Sequence, residues 1–166
     1  MYTVNLKSRY FNLVPKNSHL LLGPEYILFR SEFGKFKTTS KYIKKIVKNI
    51  LISFGGADKN NNTKKMIELL DSLKLFNVCV NIVVGSINPF YREIKSLCFK
   101  KKFNLFHNTN KMSYFMHQSD LFIGAAGSTI WELCSLGVPS MVFTTNTAQL
   151  KCVQDLHSNN VLVNLG

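Results

Sequence analysis

The sequence predicts an α/β fold, a parallel sheet with helices on both faces. Short apolar runs alternate with longer stretches of three-and-four periodicity, the runs are rich in Val and Ile, and glycine turns follow several of them. The runs Ile50–Phe54, Val78–Val84, Leu121–Ile123 and Ser140–Phe143 read as strands buried on both faces, with Phe103–Phe106 and Val161–Val163 as further strands. Asn62 or Thr63 is placed to cap a helix bearing Met66, Ile67, Leu69, Leu70 and Leu73, and Asn88-Pro89 to open another through Ile94, Leu97 and Cys98. Met112 to about Gln118 reads as a short helix. Gly127-Ser128-Thr129 starts a helix that stops at Gly137 with Pro139 just beyond, and Thr147 to about His157 gives the last one. Strand and helix alternating in this order, with right-handed crossovers, make a Rossmann-like domain.

In such a sheet ligands lie beyond the carboxyl ends of the strands, which directs attention to residues 55–62, 85–88, 107–111, 124–129 and 144–147. Residues 1–18, with the turn-like Pro15-Lys16-Asn17-Ser18, read as a linker or remnant of an upstream domain. Residues 19–166 read as the folded domain, incomplete at its carboxyl end because little follows Val163.

Composition narrows the class of protein. With 166 residues, 46% hydrophobic and 18% charged, the chain has enough apolar surface for one ordinary core and is not a disordered or low-complexity chain. No stretch reaches the ~20 apolar residues that span a bilayer, and the opening lacks a secretory h-region, so the expected location is cytoplasmic. Cys79, Cys98, Cys134 and Cys152 are widely spaced, without metal-ligand spacing, and read as buried free thiols; neither a metal nor a cofactor is expected. The 21 Lys+Arg against 9 Asp+Glu give a net charge of +12, so polyanions and phosphate-bearing ligands come into consideration. The lysines are dispersed along the chain without a nucleic-acid motif, and read mainly as solvated faces.

Two loops carry the candidate chemistry. Gly127, Ser128 and Thr129 precede a helix, where backbone amides face an anion and two hydroxyls add donors; the plainer alternative is that the hydroxyls only cap the helix. Glu132 lies four residues after Ser128, one turn deeper on the same face. Its carboxylate can accept both hydroxyls of a ribose whose diphosphate sits at the helix start, or it is a solvated surface glutamate. Gly55-Gly56-Ala57-Asp58 forms a second glycine turn at the same sheet edge, and two facing loops favour a phosphorylated ligand. Neither GxGxxG nor GxxxxGK[ST] is present, which disfavours NAD and ATP hydrolysis. His19, His107, His117 and His157 have no evident nucleophile partner, so the chain reads as a binding domain.

Three segments taken in order carry a resemblance: Leu20-Leu21-Leu22-Gly23-Pro24-Glu25-Tyr26-Ile27-Leu28-Phe29-Arg30-Ser31-Glu32-Phe33, then Ile52-Ser53-Phe54-Gly55-Gly56-Ala57-Asp58, then Gly127-Ser128-Thr129-Ile130-Trp131-Glu132-Leu133-Cys134-Ser135-Leu136-Gly137-Val138-Pro139. Over residues 19–166 the chain resembles the carboxy-terminal half of the UDP-sugar hydrolase of pseudaminic acid biosynthesis and its spore-coat polysaccharide relatives. These are similar in turn to the peptidoglycan N-acetylglucosaminyltransferase, a GT-B enzyme of two Rossmann-like domains. The resemblance implies a UDP-sugar substrate, with diphosphate at Gly127, Ser128 and Thr129 and ribose on Glu132. It also implies uracil contacts from the backbone around Phe106, His107 and Met112, and Gly55 and Gly56 flanking the sugar diphosphate. In that hydrolase water attacks the anomeric carbon, with a base in an amino-terminal domain whose glycine-rich motif this chain lacks. The catalytic base is therefore unassigned and a partner amino-terminal domain is expected. Where the family carries Asn-Gln this chain has Ala148-Gln149, leaving Gln149 near the sugar and Asn146 displaced by two positions.

Three readings follow. The first is the nucleotide-binding half of a UDP-sugar hydrolase in surface polysaccharide or nonulosonic acid biosynthesis. The second is the donor-binding domain of a GT-B glycosyltransferase, in which an acceptor hydroxyl replaces water. The third, remoter, is a non-catalytic module that binds nucleic acid through charge, although no specific nucleic acid is expected.

Overall fold

The computed structural model describes residues 7–36 and 43–166. Six parallel strands form one sheet: β1 Asn49–Ser53, β2 Cys79–Val84, β3 Asn104–His107, β4 Leu121–Ala125, β5 Ser140–Phe143 and β6 Val163–Asn164. Their order is β3-β2-β1-β4-β5-β6. The chain builds outward from β1 to β3 and returns across it to β4, so the connections reverse between β1 and β4. Five α-helices join the strands: α1 Asn62–Ser72, α2 Tyr91–Lys101, α3 Met112–Gln118, α4 Thr129–Ser135 and α5 Thr147–Ser158.

Period-two alternation sends successive strand residues to opposite faces. Ile50, Ile52, Val80, Ile82, Val84 and Ile123 pack with Met66, Ile67 and Leu70 of α1 and Ile94 and Cys98 of α2. Leu51, Val83, Phe122 and Val142 pack on the other face with α3, α4 and α5 through Phe115, Met116, Ile130, Leu133, Val153 and Leu156. Helices thus cover both faces, as the periodicity predicts. Among the described residues no helix lies over the α1 face of β5 and β6. Met141 and Phe143 there are half-buried and Val163 is exposed.

Several local expectations are corrected. The cap of α1 is Asp58, not Asn62 or Thr63: its carboxylate accepts the Asn62 amide at 2.9 Å and the Thr63 amide at 2.8 Å. A loop residue in the left-handed region, φ +40°, can fold back over the helix start as an adjacent residue cannot. The second helix begins at Tyr91, because Asn88 Oδ1 takes the Phe90 amide at 2.8 Å and holds the preceding turn. The last strand is Val163–Asn164 alone, with Val161 and Leu162 in the approach to it. Only Cys98 is a buried thiol, its pKa pushed up to about 11 by burial. Cys79 and Cys134 are exposed and Cys152 half-buried. Cys79 opens a strand beside Asn81 and Asn104, which bond each other at 3.0 Å on an open part of the sheet.

Before the sheet, Pro24–Tyr26 and Ser31–Phe36 form short 3-10 turns. Phe33 is buried in the α3–α5 core, and Phe36 stacks on His117 of α3 at 4.7 Å between ring centres. This apolar anchorage lays residues 30–33 across the domain near the start of α3 and the inner face of α4.

Candidate functional site

Because every strand is parallel, the five loops singled out from the sequence leave the same edge of the sheet. The loops after β1 and β4 flank the point where the strand order reverses, where open α/β sheets bind ligands. Gly55 adopts φ +81°, a left-handed conformation costly to any residue with a side chain. A Cβ on Gly85 would strike the Gly56 backbone, and one on Gly124 would strike the Ser53 carbonyl, so glycine lets the sheet and its exit loops close up here.

The helix starts that follow β1 and β4 differ. The α1 amides are taken by Asp58, which leaves no room there for an outside anion. Among the described residues no side-chain cap of α4 is seen: the Ser128 hydroxyl makes no bond to the helix, and the Ile130 and Trp131 amides turn back to the Gly127 and Ser128 carbonyls. The capping alternative for Ser128 is thus not what the structure shows. Across from Gly127, the Gln149 side chain reaches within 3.8 Å of where a Gly127 Cβ would stand. Gln149 Oε1 accepts the Thr145 amide at 3.0 Å and the Thr145 hydroxyl at 3.2 Å. Asn146 caps α5 through the Gln149 amide at 3.2 Å, which gives the displaced asparagine a structural task.

Glu132 is not a solvated surface residue. Its side chain is 14% exposed, and Oε1 accepts from Arg30 Nε at 3.3 Å and Nη2 at 3.2 Å. Arg30 also pairs with Glu32 at 2.9 Å and lies over the Phe33 ring. Glu32 Oε2 in turn accepts the Ser113 hydroxyl of α3 at 3.0 Å. Burial opposes the charge of Glu132 and outweighs the attraction of Arg30, so the carboxyl is held above the ordinary carboxylate range. A half-desolvated carboxylate beside an uncapped helix start is poised to accept hydroxyls while amides receive an anion.

The remaining predicted residues are placed as follows. Met112 opens α3, next to Ser113 of the Arg30–Glu132 network, and packs on the core. Phe106 tilts against Phe115 at 4.3 Å, and exposed His107 stacks on Tyr91 at 4.0 Å. Of the predicted set only Phe106 lines the cavity of about 630 Å³ that runs along α3, with Asn49, Asn81, Thr109 and Lys111. Among the described residues no cluster of His, Cys, Asp or Glu has metal-binding geometry.

Sequence reasoning gave no site role to three residues. Arg30 and Glu32 enter the site from outside the sheet, and their sequence signals are charge within the apolar stretch Ile27–Phe33 and their place in the first segment of the resemblance. Asn88, 6% exposed, sits just after the Gly85 turn, and its Nδ2 has no hydrogen-bond partner.

Residues 49–164 match the glycosyltransferase family 28 C-terminal domain. The chain belongs to that family. It is 35% identical over 158 residues to an uncharacterized protein, MJ1062, of Methanocaldococcus jannaschii, covering 90% of this chain and 32% of the relative. It is 25% identical over 164 residues to the spore coat polysaccharide biosynthesis protein SpsG of Bacillus subtilis, covering 98% of this chain and 48% of the relative. A 94-residue stretch, 54% of this chain and 26% of the relative, is 30% identical to a Helicobacter pylori enzyme. That enzyme is the UDP-N-acetylglucosamine–N-acetylmuramyl-(pentapeptide) pyrophosphoryl-undecaprenol N-acetylglucosamine transferase.

The family 28 chain therefore spans about half or less of the length of these curated relatives. Its fold is that of GT-B carboxy-terminal domains: the spinosyn rhamnosyltransferase SpnG superposes with a TM-score of 0.55 at 16% identity in its aglycone complex, covering 76% of this chain and 33% of that one. The SpnG complex with thymidine diphosphate gives 0.53 at 19%, covering 76% and 35%.

Proposed function

We propose that this family 28 domain is the donor-binding domain of a GT-B glycosyltransferase and takes a UDP-sugar between its β1 and β4 loops. The observation that carries this reading is the uncapped start of α4 beside the half-buried Glu132, facing the glycine turn after β1. The diphosphate would lie on Gly127, Ser128 and Thr129, with Gly55 and Gly56 opposite. The ribose hydroxyls would be accepted by Glu132, sharing or displacing Arg30. The uracil would lie by the backbone at Phe106, His107 and Met112, and Gln149 would reach the sugar. In transfer, an acceptor oxygen attacks the anomeric carbon, the bond to the diphosphate oxygen breaks and UDP departs; the acceptor proton passes to a base supplied by an amino-terminal domain. The Helicobacter pylori relative has a name that states its reaction, a transfer, which supports this reading over hydrolysis by water at the same site.

The test is a thermal-unfolding panel with UDP, TDP, ADP and inorganic pyrophosphate. UDP at a hundredfold excess over its Kd stabilises by ~2.7 kcal/mol. Equal stabilisation by pyrophosphate would refute a nucleotide site. Release of UDP from a UDP-sugar by the longer protein without any acceptor would favour the hydrolase.

A further inference from the structure

The lysines that look dispersed in sequence gather at the sheet edge opposite the candidate nucleotide site. Helices α1 and α2 run antiparallel to the strands and end at this edge, where the chain also enters β1. Lys74 follows α1, while Lys100, Lys101 and Lys102 close α2. Lys44, Lys45 and Lys48 precede β1 and are exposed. Two acids at the edge are engaged: Asp71 pairs with Lys101 at 2.6 Å, and buried Asp120 pairs with Lys44 at 2.8 Å and accepts two backbone amides.

Large apolar side chains project among these lysines. Phe76 and Phe99 are each 86% exposed, and Leu73, Ile43 and Ile46 are more than half exposed. Toward β5 and β6 an apolar cavity of about 450 Å³ adjoins Ile43 and is lined by Val138, Pro139 and Leu162. A soluble surface rarely leaves two phenylalanines almost wholly in water within a ring of like charge.

We propose that this edge docks the domain on an anionic lipid bilayer, Phe76 and Phe99 entering the interface while the lysines meet the headgroups. Charge complementarity selects that occupant, since a polybasic cluster interleaved with aromatic and aliphatic residues is the composition that holds proteins at anionic membranes. The cations named here are all lysines, point charges suited to a diffuse headgroup layer, with no arginine fork of the kind that reads bases. Docked this way, the β1 and β4 loops face away from the lipid, so nucleotide exchange stays open.

The test uses the purified chain with vesicles of phosphatidylcholine alone or mixed with about one-third phosphatidylglycerol, read by flotation. Binding is expected on the anionic vesicles only, weakening with salt. Lys100→Glu/Lys102→Glu should lower the partition coefficient by at least ~10-fold. Phe76→Ser/Phe99→Ser should also lower it several-fold, with the melting temperature of each variant near that of the parent, because all four side chains are exposed. Failure to bind anionic vesicles overturns the proposal. So does loss in the lysine variant with full retention in the phenylalanine variant, or tighter binding to a single-stranded oligonucleotide that the phenylalanine variant leaves unchanged. The last two of these outcomes would leave a polyanion surface in place of a membrane one.

Discussion

Glu132→Gln should leave stability nearly unchanged while weakening ligand binding. The carboxylate is largely buried, its pKa is raised by burial despite Arg30, and the pair it makes is half open to water on the arginine side. Losing such a pair costs ~0–1 kcal/mol. Removing the buried charge works the other way, because a carboxyl whose folded pKa lies above its unfolded value favours the fold at low pH and loses that contribution as pH rises through the folded pKa. The variant's unfolding free energy at neutral pH should therefore lie within ~1 kcal/mol of the parent's. Relative to the parent, it should be most favourable at neutral pH and lose ground as the solution is acidified. Glutamine still accepts through its carbonyl, so ribose trades charged hydrogen bonds for neutral ones at a total loss of ~1.4–2.7 kcal/mol, and Kd for UDP should rise ~10- to 100-fold. Urea unfolding from pH 4 to 8 and calorimetric titration with UDP measure both. A variant that binds UDP like the parent would remove Glu132 from the site, and one that gains relative stability on acidification would refute the burial argument.

Substitutions at three further positions test the frame of the domain. Asp58→Ala, which strips the two amide acceptors from α1, should cost ~1–2 kcal/mol in urea unfolding, and Asp58→Asn should recover part of it. Gly124→Ala places a methyl group against the Ser53 carbonyl, so a loss of ~3 kcal/mol or failure to fold is expected, read from soluble yield and melting temperature. Asp120 is a contrasting titration: burial opposes its charge, but Lys44 and the Lys48 and Asn49 amides together outweigh it and hold its pKa below the ordinary value. Its stabilisation is present above the unfolded pKa and lost as pH falls through the folded one, so Asp120→Asn should destabilise at pH 7 by ~1–3 kcal/mol and flatten the acid limb of the stability profile.

The order of strands and helices was legible because a doubly covered parallel sheet forces apolar runs of strand length, and helices that cover it need three-and-four spacing. The candidate loops were legible for a related reason: once every strand runs the same way, the residues after each strand must meet at one edge. Gly55 and Gly127 could thus be set at one sheet edge from spacing alone, and a helical turn puts Glu132 beneath Ser128. What spacing could not reveal were contacts between segments far apart in sequence. Arg30 reaches Glu132 across 102 positions, and only the docking of Phe33 and Phe36 brings it there. Asp58 displaced Asn62 as the cap because a left-handed loop residue can fold over a helix start, a conformation that composition does not announce. The seven lysines converge on one edge because α1 and α2 both end where β1 begins. Local periodicity determined the elements and their loops; the three-dimensional return of the chain decided which charges became neighbours, because Coulomb and desolvation energies depend on distance in space and not on distance along the chain.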